Sequence, residues 1–305
     1  MRVLVVGAGG VGGYFGAKLA RAGTSVTMLA RGAHLEAIRR HGLRVRSAIE
    51  GEFVVNVEAT DVVGSTPADA VLLCVKSFDT ERAVEAIRPA VGPDTGVLSL
   101  QNGVDNEDTI DALLGAGHAL GGAAYVFATI EAPGVIAHRF AGRIVFGEMD
   151  GRPRPRAHRL HDAFAAAGVP VELSDDVRRV LWEKYLLISA QAGMTSITRC
   201  PTGVLRATPE SWTMYRRIVE ELAAVARAAG VALGPDAVET VMAQAAAVGA
   251  DTYSSLHHDL VGGRRLELET LHGHGVRLGA RLGVDVPTVF AVYAALKPHV
   301  DGSRG

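Results

Sequence analysis

Residues 2–6, RVLVV, are apolar and β-branched almost without a break, the pattern of a strand buried on both faces of a parallel sheet. GAGGVGG follows at residues 7–13, and Val11, Phe15 and Leu19 then recur at helical spacing. This predicts a helix over Gly10 to Ala22 and a second strand over Ser25 to Leu29. The alternation continues through a short helix around His34 to His41, alternating segments at Leu43 to Arg46 and Glu52 to Val57, and buried runs at Ala70 to Val75 and Gly96 to Leu100. Ala119 to Thr129, Gly134 to His138 and Arg143 to Gly147 read as the far side of the sheet, with antiparallel strands among them. An amphipathic helix from about Pro153 to Ala167 and a strand at Val169 to Glu172 close the unit.

From Ser174 the pattern becomes helical. Ser174, Asp175 and Asp176 are N-cap candidates for a long helix through Trp182 and Lys184. Further helices fit Trp212 to Ala229, Pro235 to Val248, Leu266 to Leu282 and Pro287 to Leu296, the last with proline in its first turn. The expected organisation is an α/β domain over residues 1–173 and an all-helical domain over residues 174–305, with no repeat or low-complexity linker.

Composition narrows the class. A chain of 305 residues has room for two domains, and 48% apolar and 21% charged residues with a net charge of −2 give the balance of a globular protein with no call for nucleic acid. The N-terminus lacks the zones of a signal peptide and no apolar run is long enough for a bilayer, so a cytoplasmic protein without a membrane partner is expected. Cys74 and Cys200 form no C-x-x-C, and reduced structural thiols are the expectation for both. No metal site is expected.

The chemistry begins at the glycines. Gly7, Gly9 and Gly12 fit G-x-G-x-x-G between a predicted strand and helix. The first allows the tight turn, the second lets backbone approach a pyrophosphate, and the third lets the helix pack on the strand. Free N–H groups at the helix start then face phosphate, which points to dinucleotide binding by residues Gly7, Ala8, Gly9, Gly10, Val11 and Gly12. At the end of the second strand an acidic residue would select NAD; this chain has Arg31 and no carboxylate between Thr24 and His34, which favours NADP. Lys76 and Asn102 follow two other buried strands, so Gly7, Arg31, Lys76 and Asn102 are expected to open onto one crevice.

GAGGVGG, LARGAHL, VKSFDT, LQNGV, EAPGVIAH, WEKY, RCPTG, a Ser-Ser pair followed by a glutamate, and RLGARLGVDVP together resemble the ketopantoate reductases (2-dehydropantoate 2-reductases) over nearly the whole chain. The resemblance implies an α/β Rossmann-type dinucleotide-binding domain followed by an all-α C-terminal domain like that of 6-phosphogluconate dehydrogenases, with the active site between them. It implies NADP(H) as cofactor and reduction of a 2-oxo acid to a 2-hydroxy acid, nominally 2-dehydropantoate to pantoate in pantothenate biosynthesis. Carried over by position, Gly7 to Gly12, Arg31, Lys76, Asn102 and, across a small insertion, Ala128 fall on cofactor contacts. Lys184 falls on the catalytic lysine, Ser255 on a substrate-binding serine, Glu267 on a glutamate lining the cofactor and substrate site, and Asn102 also on a substrate position. A homodimer through the helical domain is an expectation by analogy alone.

Hydride transfer to a ketone leaves negative charge on oxygen, which a positioned ammonium can polarise and then protonate. Without the resemblance, Lys184 reads better as a helix-surface lysine paired with Glu183 or another acid, and Glu267 reads equally as a helix-face partner of Arg264 or Arg265. The family pattern also has asparagines four and eight residues after the lysine. Those substrate positions here are Ile188 and Ala192, and two further asparagine positions are Thr202 and Thr252. Residues 184, 188 and 192 share a helix face, so the losses lie beside the lysine; Ser189, Gln191, Thr195 and Arg199 are polar neighbours that could substitute. Three readings follow: the family's own reaction, reduction of a different and less polar 2-oxo acid, or a non-catalytic NADPH-binding protein.

Overall fold

The computed structural model describes residues 1–302, which divide into two compact units: residues 1–101 with 105–177, and residues 102–104 with 178 onward. The first unit runs β1 (Arg2–Val6), α1 (Gly10–Arg21), β2 (Ser25–Leu29), α2 (Gly32–His41), β3 (Leu43–Ser47), β4 (Gly51–Val55), β5 (Glu58–Thr60), β6 (Ala70–Leu73), α3 (Thr80–Ile87), β7 (Gly96–Ser99), α4 (Asn106–Leu114), β8 (Ala119–Ala132), β9 (Val135–Glu148), α5 (Pro155–Ala166) and β10 (Val171–Leu173). The strands form one sheet in the order β4-β3-β9-β8-β7-β6-β1-β2-β5, with β10 paired to β9. The six strands from β5 to β8 in that order are parallel, as a Rossmann-type unit requires.

Both faces of the central parallel part are covered, which is why β6 is apolar throughout and β1 is apolar from Val3 onward. Val3 and Val5 point into a core with Phe15, Leu19 and Phe164, while Leu4 and Val6 point into a second core with Val84, Ile87 and Ile110. Because β1 lies between β2 and β6, successive connections leave it in opposite directions, and a crevice opens at its carboxyl end.

The far side departs from expectation in one respect. The two expected segments merge: residues 135–138 and 143–147 belong to a single long strand, β9, which Gly134 precedes in the turn, and β9 pairs with β8 through register shifts at Tyr125/Val126 and Phe127/Ala128. Ala141 (φ 58°) and Gly142 (φ 126°) turn the backbone at the irregularity, and His138 closes it, its ring accepting or donating at Ser47 Oγ (2.8 Å) and Ala141 O (2.9 Å) while stacking on Tyr14. The polar, glycine-containing stretch reads as a break in sequence, but a β-bulge absorbs it without ending the strand.

The second unit is helical: α6 (Val177–Thr198), α7 (Thr202–Ala207), α8 (Pro209–Ala228), α9 (Ala237–Ala247), α10 (Ser255–Val261), α11 (His274–Leu282) and α12 (Pro287–Leu296). Its core gathers Tyr185, Tyr215, Ile218, Leu222, Val289 and Val292, all fully buried. The helix expected over Leu266 to Leu282 starts later and is irregular: residues 264–267 carry no regular structure, Glu269–Gly273 form a π-helical turn, and α11 follows. No helix among the described residues is long and apolar enough to cross a membrane.

Candidate active site

The glycine turn joins β1 to α1 with each glycine required for a different reason. Gly7 has φ +96°, open to glycine at little cost. A Cβ at Gly12 would overlap the Gly7 carbonyl and crowd Cys74 and Val5, so this glycine lets α1 close on the sheet. A Cβ at Gly10 would overlap the Ala128 carbonyl, which places β8 directly against the first turn of α1. At Gly9, in contrast, a Cβ would meet nothing within 4 Å. Gly9 caps α1 without any side-chain hydrogen bond to the helix N–H groups, so the turn offers open space and free donors together, as a bound pyrophosphate requires.

A cavity of about 250 Å³ adjoins this turn. Gly7, Ala8 and Gly9 line it with Ala30 and Arg31 at the end of β2, Val75 beyond β6, Asp79, Arg82, Ala83 and Ala86 on the α3 side, His34 and Ile130. Two of the four residues expected on one crevice, Gly7 and Arg31, therefore share its wall. Lys76 is one residue past the wall residue Val75, and Asn102 groups with the helical unit; neither lines this cavity. Gly10, Val11, Gly12 and Ala128 lie behind the turn rather than on the wall.

Two residues outside the glycine motif hold backbone at or beside the cavity, His34 on its wall and Gln101 behind the wall residue Val75. His34 joins two backbone segments: Gly134 N–H donates to its Nδ1 (3.0 Å), and its Nε2 bonds the Ala8 carbonyl (2.8 Å). Burial lowers the pKa of this ring. Buried Gln101 donates to the Val75 carbonyl (3.0 Å) and to Thr80 Oγ1 (2.8 Å), fixing the chain where it leaves β6. LARGAHL and LQNGV contain both residues, but only the fold shows what they hold. Cys74 and Cys200 are free, and burial pushes the Cys74 thiol up, as expected of a structural cysteine.

In the helical unit, Lys184 is buried on α6, with Ile188 half-buried and Ala192 buried on the same helix, both packed in the apolar cluster. Glu183, one residue before the lysine, bonds Arg179 (3.1 Å). Glu267 is buried and sits two residues before the π turn that leads into α11, its carbonyl accepting from Leu271 N–H (3.0 Å), and Arg264 pairs with Asp259 (2.8 Å). Thr202 Oγ1 donates to the Thr252 carbonyl (2.9 Å) and accepts from Gln191 Nε2, so the residues at two lost asparagine positions bond one another. Thr195 Oγ1 bonds Ser254 Oγ (2.8 Å), and Ser254 caps α10; Ser255, the carried-over residue, is exposed at the first position of that helix. Ser189 is fully buried and Arg199 is exposed, at φ 56°, just beyond the end of α6. A cavity of about 650 Å³ between α8 and α12 contains none of these residues.

A family model described as "Ketopantoate reductase PanE/ApbA" matches residues 3–151, and its companion, "Ketopantoate reductase PanE/ApbA C terminal", matches residues 176–300. The chain belongs to the ketopantoate reductase family. It is 33% identical over 295 residues to a 2-dehydropantoate 2-reductase of Halobacterium salinarum, with 95% of each chain covered. It is 30% identical over 300 residues to the uncharacterized oxidoreductase YkpB of Bacillus subtilis, covering 98% of this chain and 99% of that one. The solved structure of a PanE/ApbA family ketopantoate reductase from Ralstonia eutropha JMP134 superposes with a TM-score of 0.89 at 39% identity and 98% coverage of both chains. As a ketopantoate reductase family member the chain is an oxidoreductase. Among its described residues no group of three or more His, Cys, Asp or Glu side chains is placed to hold a metal ion.

Proposed function

We propose that this protein reduces a 2-oxo acid to a 2-hydroxy acid with NADPH, with 2-dehydropantoate the nominal substrate. The observation that carries the reading is the glycine turn at the carboxyl end of β1, where Gly9, with open space beside its Cα, shares the wall of one cavity with Gly7, Ala8 and Arg31. Gly7 to Gly12 would hold the pyrophosphate, Arg31 the 2′-phosphate, and Lys76, Asn102 and Ala128 further parts of the dinucleotide. When bound, NADPH supplies the hydride. The chain's own contribution is positioning and charge: the Lys184 ammonium polarises the substrate carbonyl and gives its proton to the oxygen as negative charge develops there. Ser255 and Asn102 would orient the substrate and Glu267 would line the site beside both partners. The N-terminal unit would thus serve the cofactor and the helical unit the substrate, from residue 174 onward.

A second reading shares the chemistry but not the substrate. Ile188 and Ala192 pack among apolar side chains at positions where the resemblance has asparagines. A site without those amides discriminates poorly in favour of a hydroxylated acid, because polar substrate groups go unpaired. This favours a less polar 2-oxo acid. The test is NADPH oxidation across a panel of 2-oxo acids that includes 2-dehydropantoate and apolar analogues, with kcat/KM measured for each in the unmutated protein and in Ile188→Asn/Ala192→Asn. High efficiency on 2-dehydropantoate in the unmutated protein supports the nominal substrate. A preference for apolar acids that the double variant reverses supports the second reading. NADPH binding without turnover on any acid refutes both and leaves a non-catalytic dinucleotide-binding protein.

A further inference from the structure

Resting on the dinucleotide reading above, we propose that His34 is a positioning residue for the cofactor: its ring holds the Ala8 carbonyl and thereby sets the direction of the Gly9 N–H that meets the pyrophosphate. The ring joins three segments distant in sequence. It projects from the first turn of α2, lines the cavity, bonds the Ala8 carbonyl at 2.8 Å through Nε2, and accepts the Gly134 N–H at 3.0 Å through Nδ1. Because a backbone N–H donates to Nδ1, the ring is neutral and its proton sits on Nε2, so Nε2 is the donor to Ala8. Gly134, with φ +74° and a would-be Cβ 2.9 Å from Ala37 Cβ, fits the turn between β8 and β9 closely over α2 and supports the ring from behind.

The consequence follows from peptide geometry. Among the described residues no peptide bond is cis, so the Ala8 carbonyl and the Gly9 N–H point in opposite directions across one planar unit. Anchoring the carbonyl on His34 turns the N–H away from the ring, and among the described residues no backbone acceptor takes it. Glycine at position 9 makes rotation of this peptide easy, and a rotated peptide would present a carbonyl oxygen to a phosphate. His34 removes that alternative before the ligand arrives, and so lowers the ordering cost of binding.

The experiment measures dissociation constants by calorimetry for NADPH, NADH and 2′-AMP, a probe without pyrophosphate, in the unmutated protein and in His34→Ala, His34→Gln and His34→Asn. His34→Ala should weaken NADPH and NADH by the same factor, about three- to tenfold for one neutral hydrogen bond, and leave 2′-AMP unchanged. Glutamine places an amide N–H where Nε2 stands and should restore affinity. Asparagine reaches only the Nδ1 position and should not. Unchanged affinity in His34→Ala, a loss confined to NADPH, an equal loss of 2′-AMP, or equal affinities in the glutamine and asparagine variants would each overturn the proposal. If His34→Ala does not fold, the glutamine–asparagine comparison decides alone. Failure of the unmutated protein to bind either dinucleotide would instead remove the cofactor reading on which this rests.

Discussion

Replacing Gly9 by alanine should separate the site from the fold. The residue caps α1 at φ −73° and ψ −162°, an extended conformation open to any residue, and its added Cβ meets nothing within 4 Å. Two opposing terms govern stability. Alanine narrows the unfolded ensemble, worth about 0.4–1 kcal/mol, while alanine is a poorer N-cap than glycine by about the same amount. The net change should stay within about 0.5 kcal/mol, so urea denaturation should give nearly the same midpoint. Affinity should behave differently, because the methyl group occupies the space the pyrophosphate would enter. Losing one charge-assisted hydrogen bond costs about 1.5–3 kcal/mol, equivalent to roughly ten- to a hundredfold in the NADPH dissociation constant at about 1.4 kcal/mol per factor of ten. Gly12→Ala is the control: its Cβ would overlap the Gly7 carbonyl and approach Cys74 Cβ and Val5 Cγ1 at 3.0 Å each. Such overpacking costs typically about 1–3 kcal/mol of stability. A Gly9→Ala protein of normal stability that binds NADPH as tightly as the unmutated one would refute the argument that phosphate approaches the backbone at this glycine.

Arg31→Ala should cost NADPH about 1.5–3 kcal/mol of binding and spare NADH; equal affinities for the two cofactors in the unmutated protein would count against Arg31 as the selecting residue. Lys184→Ala should lower kcat by about 10²–10⁴ while leaving the NADPH dissociation constant nearly unchanged, and activity within a few-fold of normal would remove the lysine from the mechanism. Burial pushes the fully enclosed His272 ring down from 6.5 to about 4, although its bond to the Ser189 carbonyl works the other way. The unfolded chain then takes up a proton that the folded chain refuses between those values, so stability is full above pH 6.5 and falls as pH drops toward 4. The loss approaches about 3 kcal/mol at about 1.4 kcal/mol per unit. Denaturation curves of the unmutated protein and His272→Gln across that range should differ in slope, and parallel curves would show that His272 does not govern it.

Local pattern alone determined much of this protein. RVLVV, the glycine turn, AVLLCV and the change to helical periodicity after Ser174 are short-range signals, because a strand buried on both faces must be apolar throughout and a strand-to-helix turn must have glycine. Pro287–Leu296 was legible to the residue for the same reason, since proline fixes the start and apolar spacing fixes the face. Pattern could not show that residues 135–148 are one strand, because the bulge at Ala141 is held by His138 from within the strand and by Ser47 from β3. Nor could it show the π turn over Glu269–Gly273, which replaces the first turns of the helix that the spacing predicts from Leu266. Among residues of the cavity wall, Gly7, Gly9 and Arg31 were legible because they stand at fixed offsets from a strand end. His34 was not: its two partners, Ala8 and Gly134, lie 26 and 100 residues away. Only tertiary structure brings such backbone groups to one ring, since nothing in local spacing encodes which distant carbonyl a side chain will meet.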